Sequence, residues 1–257
     1  MPGILSYNSV LDAMFRGRDS VSSAEELYGE MIRCGVSPNV YTCNILLRGC
    51  CGEGKLDKAF EVFSEMERKG CTPNVATFNT LVDAYCKLGK INEAFRWFEL
   101  MSQRGLQPTL ISYNVIINGL CREGRMKETH DILGEMGRKG MVPDKVTYNM
   151  LVNGYCKEGN IHQGYLDEAN QVLKEMIENG FSPSIVTYNA LINGSCILGR
   201  INEALQVIQD MIMRGLVPDV VSYSTIINGF CRSRDLDKAY EMKQEMVIKG
   251  VLPDAVS

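Results

Sequence analysis

Histidine is scarce in this sequence: only His130 and His162 occur among 257 residues, and the ten cysteines include no Cys-x-x-Cys pair. Protein zinc sites are built mostly from cysteine and histidine at such short spacings. The sequence therefore predicts no metal site, and we expect no cofactor. No stretch approaches the roughly 18 uninterrupted apolar residues of a membrane-spanning helix, so no membrane partner is expected.

An excess of basic charge is also missing. The 27 Lys and Arg are outnumbered by 31 Asp and Glu, which gives a net charge of −4 and a pI near 5.4. Coating of nucleic acid by bulk charge is excluded, because non-specific binding needs many basic side chains on the phosphates. A local basic surface stays open. With 45% apolar and 23% charged residues, the composition is typical of a folded chain.

Prolines are few, but seven of the eight are regularly spaced, at positions 38, 73, 108, 143, 183, 218 and 253. All intervals are 35 residues except one of 40. A methionine lies seven residues before each of these prolines, and a glycine lies four residues after each methionine. Self-similarity at such a period predicts a stack of small structural repeats.

Each repeat is predicted to form two helices. In the third repeat, Thr77 is the predicted N-cap of the first helix, and an apolar stripe with helical spacing follows it: Phe78, Leu81, Val82, Tyr85 and Cys86. A second stripe begins at Ile91 and stops before Gly105 and Pro108. No segment alternates with the period of a strand. The predicted fold is all-α, with hairpins that stack to bury their apolar faces.

The spacing divides the chain into seven repeats, at 4–39, 40–74, 75–109, 110–144, 145–184, 185–219 and 220–254. The fifth has five extra residues, and 159–163 and 164–168 both fit the opening of a second helix. We interpret this as two repeats joined out of step. Residues 255–257 fit the start of a truncated eighth repeat, and no polar capping helix is evident, so we expect a piece of a longer array.

The first helices begin with SYN, TFN, SYN, TYN, TYN and SYS, continue with Gly-x-Cys-Lys/Arg, and are followed by Met-x-x-x-Gly-x-x-Pro. Over residues 4–254 this pattern resembles the pentatricopeptide repeat family, in its pure class. The resemblance implies a right-handed superhelical solenoid that binds single-stranded RNA sequence-specifically, one nucleotide per repeat. It also implies a role in RNA processing, stability or translation in a plant mitochondrion or chloroplast. The first residues carry no visible transit peptide.

Two polar positions per repeat are candidate base-reading residues, because amides, hydroxyls and carboxylates can hydrogen-bond a base edge. The first-turn residues are Asn8, Asn44, Asn79, Asn114, Asn149, Asn189 and Ser224. The last residues are Asn39, Asn74, Thr109, Asp144, Ser184, Asp219 and Asp254. Three residues before each first-turn reader lies an apolar residue that could pack against an unstacked base: Leu5, Tyr41, Ala76, Ile111, Val146, Val186 and Val221.

The family resemblance carries a base code on these two positions. It implies U for Asn114 with Asp144 and for Asn189 with Asp219. It implies C for Asn149 with Ser184, and G for Ser224 with Asp254. The three N-terminal pairs imply pyrimidines, with C favoured over U for Asn8 with Asn39 and for Asn44 with Asn74; Asn79 with Thr109 departs from the well-behaved pairs. The predicted target is 5′ Y-Y-Y-U-C-U-G 3′. The sequence leaves open whether the five added residues shift one reading site.

Five basic residues recur at the end of the first helix and are candidate phosphate contacts: Arg16, Lys87, Arg122, Lys157 and Arg232. Gly52 and Ile197 break the series. If all five meet phosphates, log K should fall with log salt at a slope of about −3 to −4. The alternative is that Lys and Arg simply favour a helix C-terminus.

Six cysteines recur with the repeat, and we predict that they are small packing residues, since neighbouring helices lie too far apart for disulfides. No nucleophile and base constellation is evident, so no catalytic residue is predicted. The alternative function is a scaffold for a peptide or protein, as in the tetratricopeptide class. That class has a 34-residue unit with a different Trp, Tyr and Ala signature, and a peptide groove needs more varied side chains.

Overall fold

The computed structural model describes residues 2–17, 20–157 and 163–251. Regular structure in these ranges consists of α-helices without strands, which confirms the all-α prediction. The helices are α1 Ile4–Arg16, α2 Val21–Arg33, α3 Val40–Gly52, α4 Leu56–Arg68, α5 Val75–Lys87, α6 Ile91–Gln103, α7 Leu110–Arg122, α8 Met126–Arg138, α9 Lys145–Tyr155, α10 Gln163–Glu178, α11 Ile185–Ile197, α12 Ile201–Met213, α13 Val220–Arg232 and α14 Leu236–Ile248. We call the odd-numbered helices first helices and the even-numbered ones second helices.

The chain divides into two compact units, residues 1–119 and 120–257. In the first unit, α1 packs on α3 and α3 on α5. In the second, α9 packs on α11 and α11 on α13. Within the hairpins, α1 packs on α2, α3 on α4, α5 on α6, α9 on α10, α11 on α12 and α13 on α14. No helix in the described ranges is both long and apolar enough to cross a bilayer.

The first helices begin one turn earlier than the apolar stripe suggests. The N-cap of α5 is Asn74, whose Oδ1 accepts the backbone N–H of Thr77 at 3.1 Å. In return, Thr77 Oγ1 accepts the backbone N–H of Asn74 at 3.1 Å, which completes a capping box. The prediction of Thr77 as the N-cap is therefore wrong. It failed because the first turn, Val75 and Ala76, is not buried and adds nothing to the stripe.

The second helices end on the recurring glycine. Gly105 has φ +77°, a left-handed conformation that residues with a Cβ adopt at a cost. Its N–H donates to the carbonyl of Ser102, and the N–H of Leu106 donates to that of Met101, as in a Schellman motif. The regularly spaced methionines are all fully buried: Met31, Met66, Met101, Met136, Met176, Met211 and Met246.

Successive first helices meet at a glycine and a cysteine. A Cβ on Gly119 would lie 2.4 Å from Cys86 Sγ, and a Cβ on Gly154 would lie 2.8 Å from Cys121 Sγ. Four of the six recurring cysteines are buried, which confirms their packing role, whereas Cys51 is half-buried and Cys231 exposed. All ten cysteines are free thiols. Burial raises the pKa of Cys121 to about 12, so this thiol stays protonated and unreactive.

Some predicted features lie outside the described residues. They include most of the first segment of the out-of-step junction at 159–163, the beginning of the predicted eighth repeat at 255–257, and the candidate reading residue Asp254.

Candidate nucleic-acid interface

The candidate base-packing side chains are exposed in every repeat, although they are apolar. Leu5 is 79% exposed and Ile111 is 66% exposed, which contrasts with the buried stripe on the same helices. A cleft of about 480 Å³ lies beside Leu5 and Tyr41, and Asn8 and Arg16 also line it. An apolar wall beside a polar amide is an arrangement that can accept the face and the edge of an unstacked base.

The first helices bring candidate reading residues together at the junction between consecutive repeats. Asn44 Nδ2 donates to Asn74 Oδ1 at 3.3 Å, and Asn189 Nδ2 donates to Asp219 Oδ1 at 3.0 Å. These two pairs are therefore in direct contact, although 30 residues separate their members. The last residue of a repeat is close to the next helix because it serves as the N-cap of that helix, as Asn39, Asn74, Asp144, Ser184 and Asp219 do.

A third polar group joins each of these sites, and the sequence analysis missed it. It is the hydroxyl of the Thr or Ser at the third position of the following first helix. This hydroxyl donates to the reading amide oxygen: Thr42 to Asn8 at 2.8 Å, Thr77 to Asn44 at 2.7 Å, Thr187 to Asn149 at 2.6 Å and Ser222 to Asn189 at 2.6 Å. The signal was available, because a Thr or Ser precedes every first-turn reader by two residues.

The fifth repeat keeps this arrangement despite its five extra residues. The oxygen of Asn149 and the hydroxyl of Thr187 are 2.6 Å apart, as at the corresponding site of Asn189 and Ser222. The contact between the hydroxyl and the reading amide is therefore the same at this junction as in a repeat of ordinary length.

The third reading pair differs from this pattern. Asn79 makes no side-chain hydrogen bond within the described part of the chain, and Thr109 instead shares a bond of 3.2 Å with Ser112. Asn114 is 8% exposed and lies in the first compact unit, whereas Asp144 caps α9 in the second. Ser224 is half-buried, and its predicted partner Asp254 lies outside the described residues.

The carboxylate of Asp219 is held in its ionised form. Partial burial acts to raise its pKa, but hydrogen bonds from the Ser222 backbone, the Asn189 amide and the Ser222 hydroxyl outweigh this effect and lower the pKa. All of these contacts are to Oδ1, and the Ser222 hydroxyl shares its one proton between Asp219 Oδ1 at 3.0 Å and Asn189 Oδ1 at 2.6 Å. Oδ2 has no hydrogen bond within the described residues, so an acceptor remains for a ligand.

The five candidate phosphate contacts are all exposed, but two are paired with acids. Arg16 lies 2.6 Å from Asp12, and Lys87 lies 2.6 Å from Asp83, one helical turn earlier. Arg122, Lys157 and Arg232 form no ion pair within the described ranges. A further cation, which the repeat pattern does not single out, is Arg48 on α3, one turn before Gly52. Arg48 pairs with Asp12. Arg48 supplies a cation on the helix where Gly52 interrupts the basic series.

Within the described residues, no three His, Cys, Asp or Glu side chains are arranged to hold a metal ion.

Two relatives from Arabidopsis thaliana match a short part of the chain. Both are pentatricopeptide repeat-containing proteins, 54% identical over 57 residues and 43% identical over 58 residues. Each match covers 22% of this chain and 8% of the relative.

Two solved structures share the fold. The pentatricopeptide repeat protein PPR10, in complex with an 18-nt psaJ RNA element, has a TM-score of 0.59 at 25% identity, over 99% of this chain and 45% of PPR10. The PPR domain of Arabidopsis thaliana protein-only RNase P 1, in complex with tRNA, has a TM-score of 0.54 at 26% identity, over 70% of this chain and 91% of that domain.

Family models cover most of the sequence. The PPR repeat family matches residues 2–52, 40–87, 73–122, 108–157, 183–232 and 218–257, and a second PPR repeat model matches 139–177. Because these matches span far more than half of the sequence, the chain belongs to the pentatricopeptide repeat family.

Proposed function

We propose that this chain binds single-stranded RNA sequence-specifically, with one nucleotide at each of its seven repeats. The proposed target is 5′ Y-Y-Y-U-C-U-G 3′, read from the N-terminal repeat. The observation that carries the proposal is the contact between Asn189 and Asp219, beside the exposed apolar side chain of Val186. This repeat offers a surface for a base face together with donors and an acceptor for a base edge.

The free hydrogen-bonding atoms of this pair favour uracil. One hydrogen of Asn189 Nδ2 is used by Asp219 Oδ1, which leaves one amide donor and the acceptor Oδ2 for a ligand. The pairing edge of uracil offers an N3–H donor between carbonyl acceptors, so a donor and an acceptor on the protein match it. Cytosine has an unprotonated N3 that the carboxylate would repel.

The corresponding atoms of the fifth repeat favour cytosine. Thr187 donates its single proton to Asn149 Oδ1, so the Ser184 hydroxyl, 2.9 Å from Thr187 Oγ1, donates its own proton to Thr187. Asn149 Nδ2 then has two free donors, and Ser184 Oγ has a free lone pair. Two donors match the N3 and O2 acceptors of cytosine, and the lone pair matches its N4 amino group.

The similar solved structures support an RNA partner, since both contain RNA, although this chain spans less than half of PPR10. Binding is proposed to occur without catalysis: the likeness to protein-only RNase P 1 is to its PPR domain. We further propose, from the family resemblance, that the protein acts on an organellar transcript in a mitochondrion or chloroplast.

A binding series tests the proposal. The chain is titrated against an RNA containing CCCUCUG, the same RNA with the last U changed to A, and the DNA of the same sequence. We expect the first to bind about tenfold or more tightly than the U-to-A variant, as for a good base-specific contact. Equal affinity for all three would refute base-by-base reading. The RNA is recovered intact after binding if the chain does not cleave it.

A further inference from the structure

In α3, α5, α11 and α13, the buried hydroxyl at the third position of the helix touches two reading residues of the preceding repeat. Thr187 is 1% exposed and Ser222 is fully buried, so neither is available to a ligand. Thr187 lies 2.6 Å from Asn149 Oδ1 and 2.9 Å from Ser184 Oγ. A residue that cannot touch RNA therefore contacts both side chains that are proposed to read it.

This hydroxyl has one proton and a fixed set of partners. Thr187 Oγ1 accepts the backbone N–H of Ser184 at 3.1 Å. Two acceptors lie within reach of its own proton, and the amide oxygen of Asn149, at 2.6 Å, is both nearer and stronger than the hydroxyl oxygen of Ser184, at 2.9 Å. The proton of Ser184 is then directed inward, towards Thr187. The hydrogen bonds therefore run from Ser184 to Thr187 and from Thr187 to Asn149. This direction determines which donor and acceptor atoms of Ser184 and Asn149 remain available to a ligand.

Among the described residues, the amide of Asn149 has no other hydrogen-bond partner. No hydrogen bond joins it directly to Ser184, so the Thr187 hydroxyl alone distinguishes Oδ1 from Nδ2 at this site. The amide of Asn189 is different, because its Nδ2 is also tied to Asp219 while Ser222 holds its Oδ1. An inverted Asn189 amide would bring two oxygens together at about 3.0 Å, which the carboxylate disfavours.

We infer that Thr187 and its counterparts are positioning residues that set the base preference of the preceding repeat by fixing the orientation of its reading side chains. This inference rests on the proposed reading of RNA and deepens it. It makes the specificity of one repeat depend on a residue of the next. The dependence is strongest at Asn149, where the hydroxyl acts alone, and weaker at Asn189, where Asp219 shares the task.

A purely structural role in helix capping is the rival explanation, and a Thr187→Val variant separates the two. Valine has nearly the shape of threonine, and the backbone N–H of residue 187 can still donate to Ser184 Oγ, which it does at 3.3 Å in the native chain. The cap keeps this bond and loses the two bonds that the Ser184 backbone N–H and the Ser184 hydroxyl make to Thr187 Oγ1. A capping role predicts lower stability with unchanged base preference, whereas a positioning role predicts that the preference itself is lost.

The experiment compares binding of CCCUCUG and CCCUUUG RNA by the full chain, its Thr187→Val variant and a Thr187→Ser variant. We expect the native preference for C at the fifth base, about tenfold for a well-placed contact, to fall to about twofold or less in Thr187→Val. Thr187→Ser retains the hydroxyl and should restore the preference. Preference for U at the sixth base should stay unchanged, which a general loss of folding would not allow.

Thr225→Val is the matched control, because the Thr225 hydroxyl donates to the Val221 carbonyl of its own helix, at 2.7 Å, and touches no reading residue. Ser222→Ala should weaken the preference for U at the sixth base by less than Thr187→Val weakens that for C. Thermal unfolding followed by circular dichroism confirms that each variant is folded under the binding conditions.

The outcomes separate the two proposals. If the native chain shows no preference at the fifth or sixth base, the proposed function fails. If the native chain discriminates and folded Thr187→Val discriminates equally well, the positioning role is overturned while the proposed function stands. The same holds if Thr225→Val loses as much discrimination as Thr187→Val.

Discussion

At the end of a repeat, one side-chain atom of the last residue caps the next helix, and this leaves the other terminal atom of the same side chain available to a base. The N-cap residues Asn74 and Asp219 both use Oδ1 to accept the backbone N–H of the following helix. The remaining atom is an amide nitrogen in Asn74 and a carboxylate oxygen in Asp219. Capping therefore leaves a hydrogen-bond donor in one repeat and a hydrogen-bond acceptor in another, and these groups require opposite partners on the base.

Replacement of Asp219 by Asn should reverse this demand at the sixth base. Since asparagine is as good an N-cap as aspartate, the helix should remain capped. We expect the ratio of affinities for U and C at this base to change by about tenfold towards C, measured by fluorescence anisotropy with paired RNAs. Asp237→Asn, an equal charge change at an exposed site on α14, is the control. An unchanged ratio in Asp219→Asn would contradict the proposed code at this repeat.

The preference for U should also be insensitive to mild acid. The pKa of Asp219 lies below its ordinary value. The contribution of the ionised carboxylate to the stability of the folded protein is therefore complete above the unfolded pKa of about 3.9. It is lost only as pH falls through the lower folded value. We expect the U to C ratio at the sixth base to be constant between pH 7.5 and 5.5. A decline within this range would mean that the carboxylate is not held ionised.

Two first helices can pack closely where one of them carries a glycine, because glycine has no side chain. Gly154 on α9 faces Cys121 so closely that a Cβ would lie 2.8 Å from both its Cβ and its Sγ, and 3.1 Å from Met126 Sδ. Such contacts are closer than van der Waals separation, so only glycine permits this approach. The Gly-x-Cys signature is thus a packing contact between consecutive first helices.

Gly154→Ala should destabilise the protein although alanine is the better helix former. Overpacking costs about 1–3 kcal/mol, which exceeds the gain of about 1 kcal/mol in helix propensity. Gly134→Ala in the middle of α8 is the control, because no atom lies within 4 Å of its added Cβ; it should stabilise by about 0.5–1 kcal/mol. Urea unfolding midpoints measure both. A rise in the midpoint of Gly154→Ala would show that the helices move apart at little cost.

The bounds of these elements could be predicted only in part. The apolar stripe of α5 located its buried face, and the recurring Gly and Pro located the end of α6, because 3.6-residue periodicity and turn chemistry are local properties. The apolar stripe places the N-cap of α5 three residues late, at Thr77 instead of Asn74. The cap could not be read from hydrophobicity, since its residues are polar and its first turn is not buried.

For the whole chain, the positive charge available to a ligand depends on which basic residues are already paired with acids, and not only on the number of basic residues. Arg16 and Lys87 are paired with Asp12 and Asp83, whereas Arg122, Lys157 and Arg232 have no acidic partner within the described ranges. Each phosphate contact contributes about −0.7 to the salt slope for single strands. Three available cations predict a slope near −2, compared with about −3.5 for five.

Removal of one acid should therefore increase the salt dependence of RNA binding. Asp83→Asn releases Lys87, whose ion pair is exposed and worth at most about 1 kcal/mol. We expect tighter binding at low salt and a slope that is steeper by about 0.7, measured from affinities at several KCl concentrations. Glu99→Gln, an equal charge change at an exposed residue of α6, is the control. If both variants change the slope equally, net charge and not Lys87 is responsible.

The sequence by itself determined the helical hairpins, the buried methionine and cysteine positions and the identity of the candidate reading residues, because each repeats at a fixed interval and depends on local spacing. Only the tertiary structure decided which reading atoms are free. Their partners lie 33 to 38 residues away and meet only when one hairpin packs on the next. Each hydrogen bond has a donor and an acceptor, and the residue that packs from the next hairpin determines which of these roles a reading atom takes.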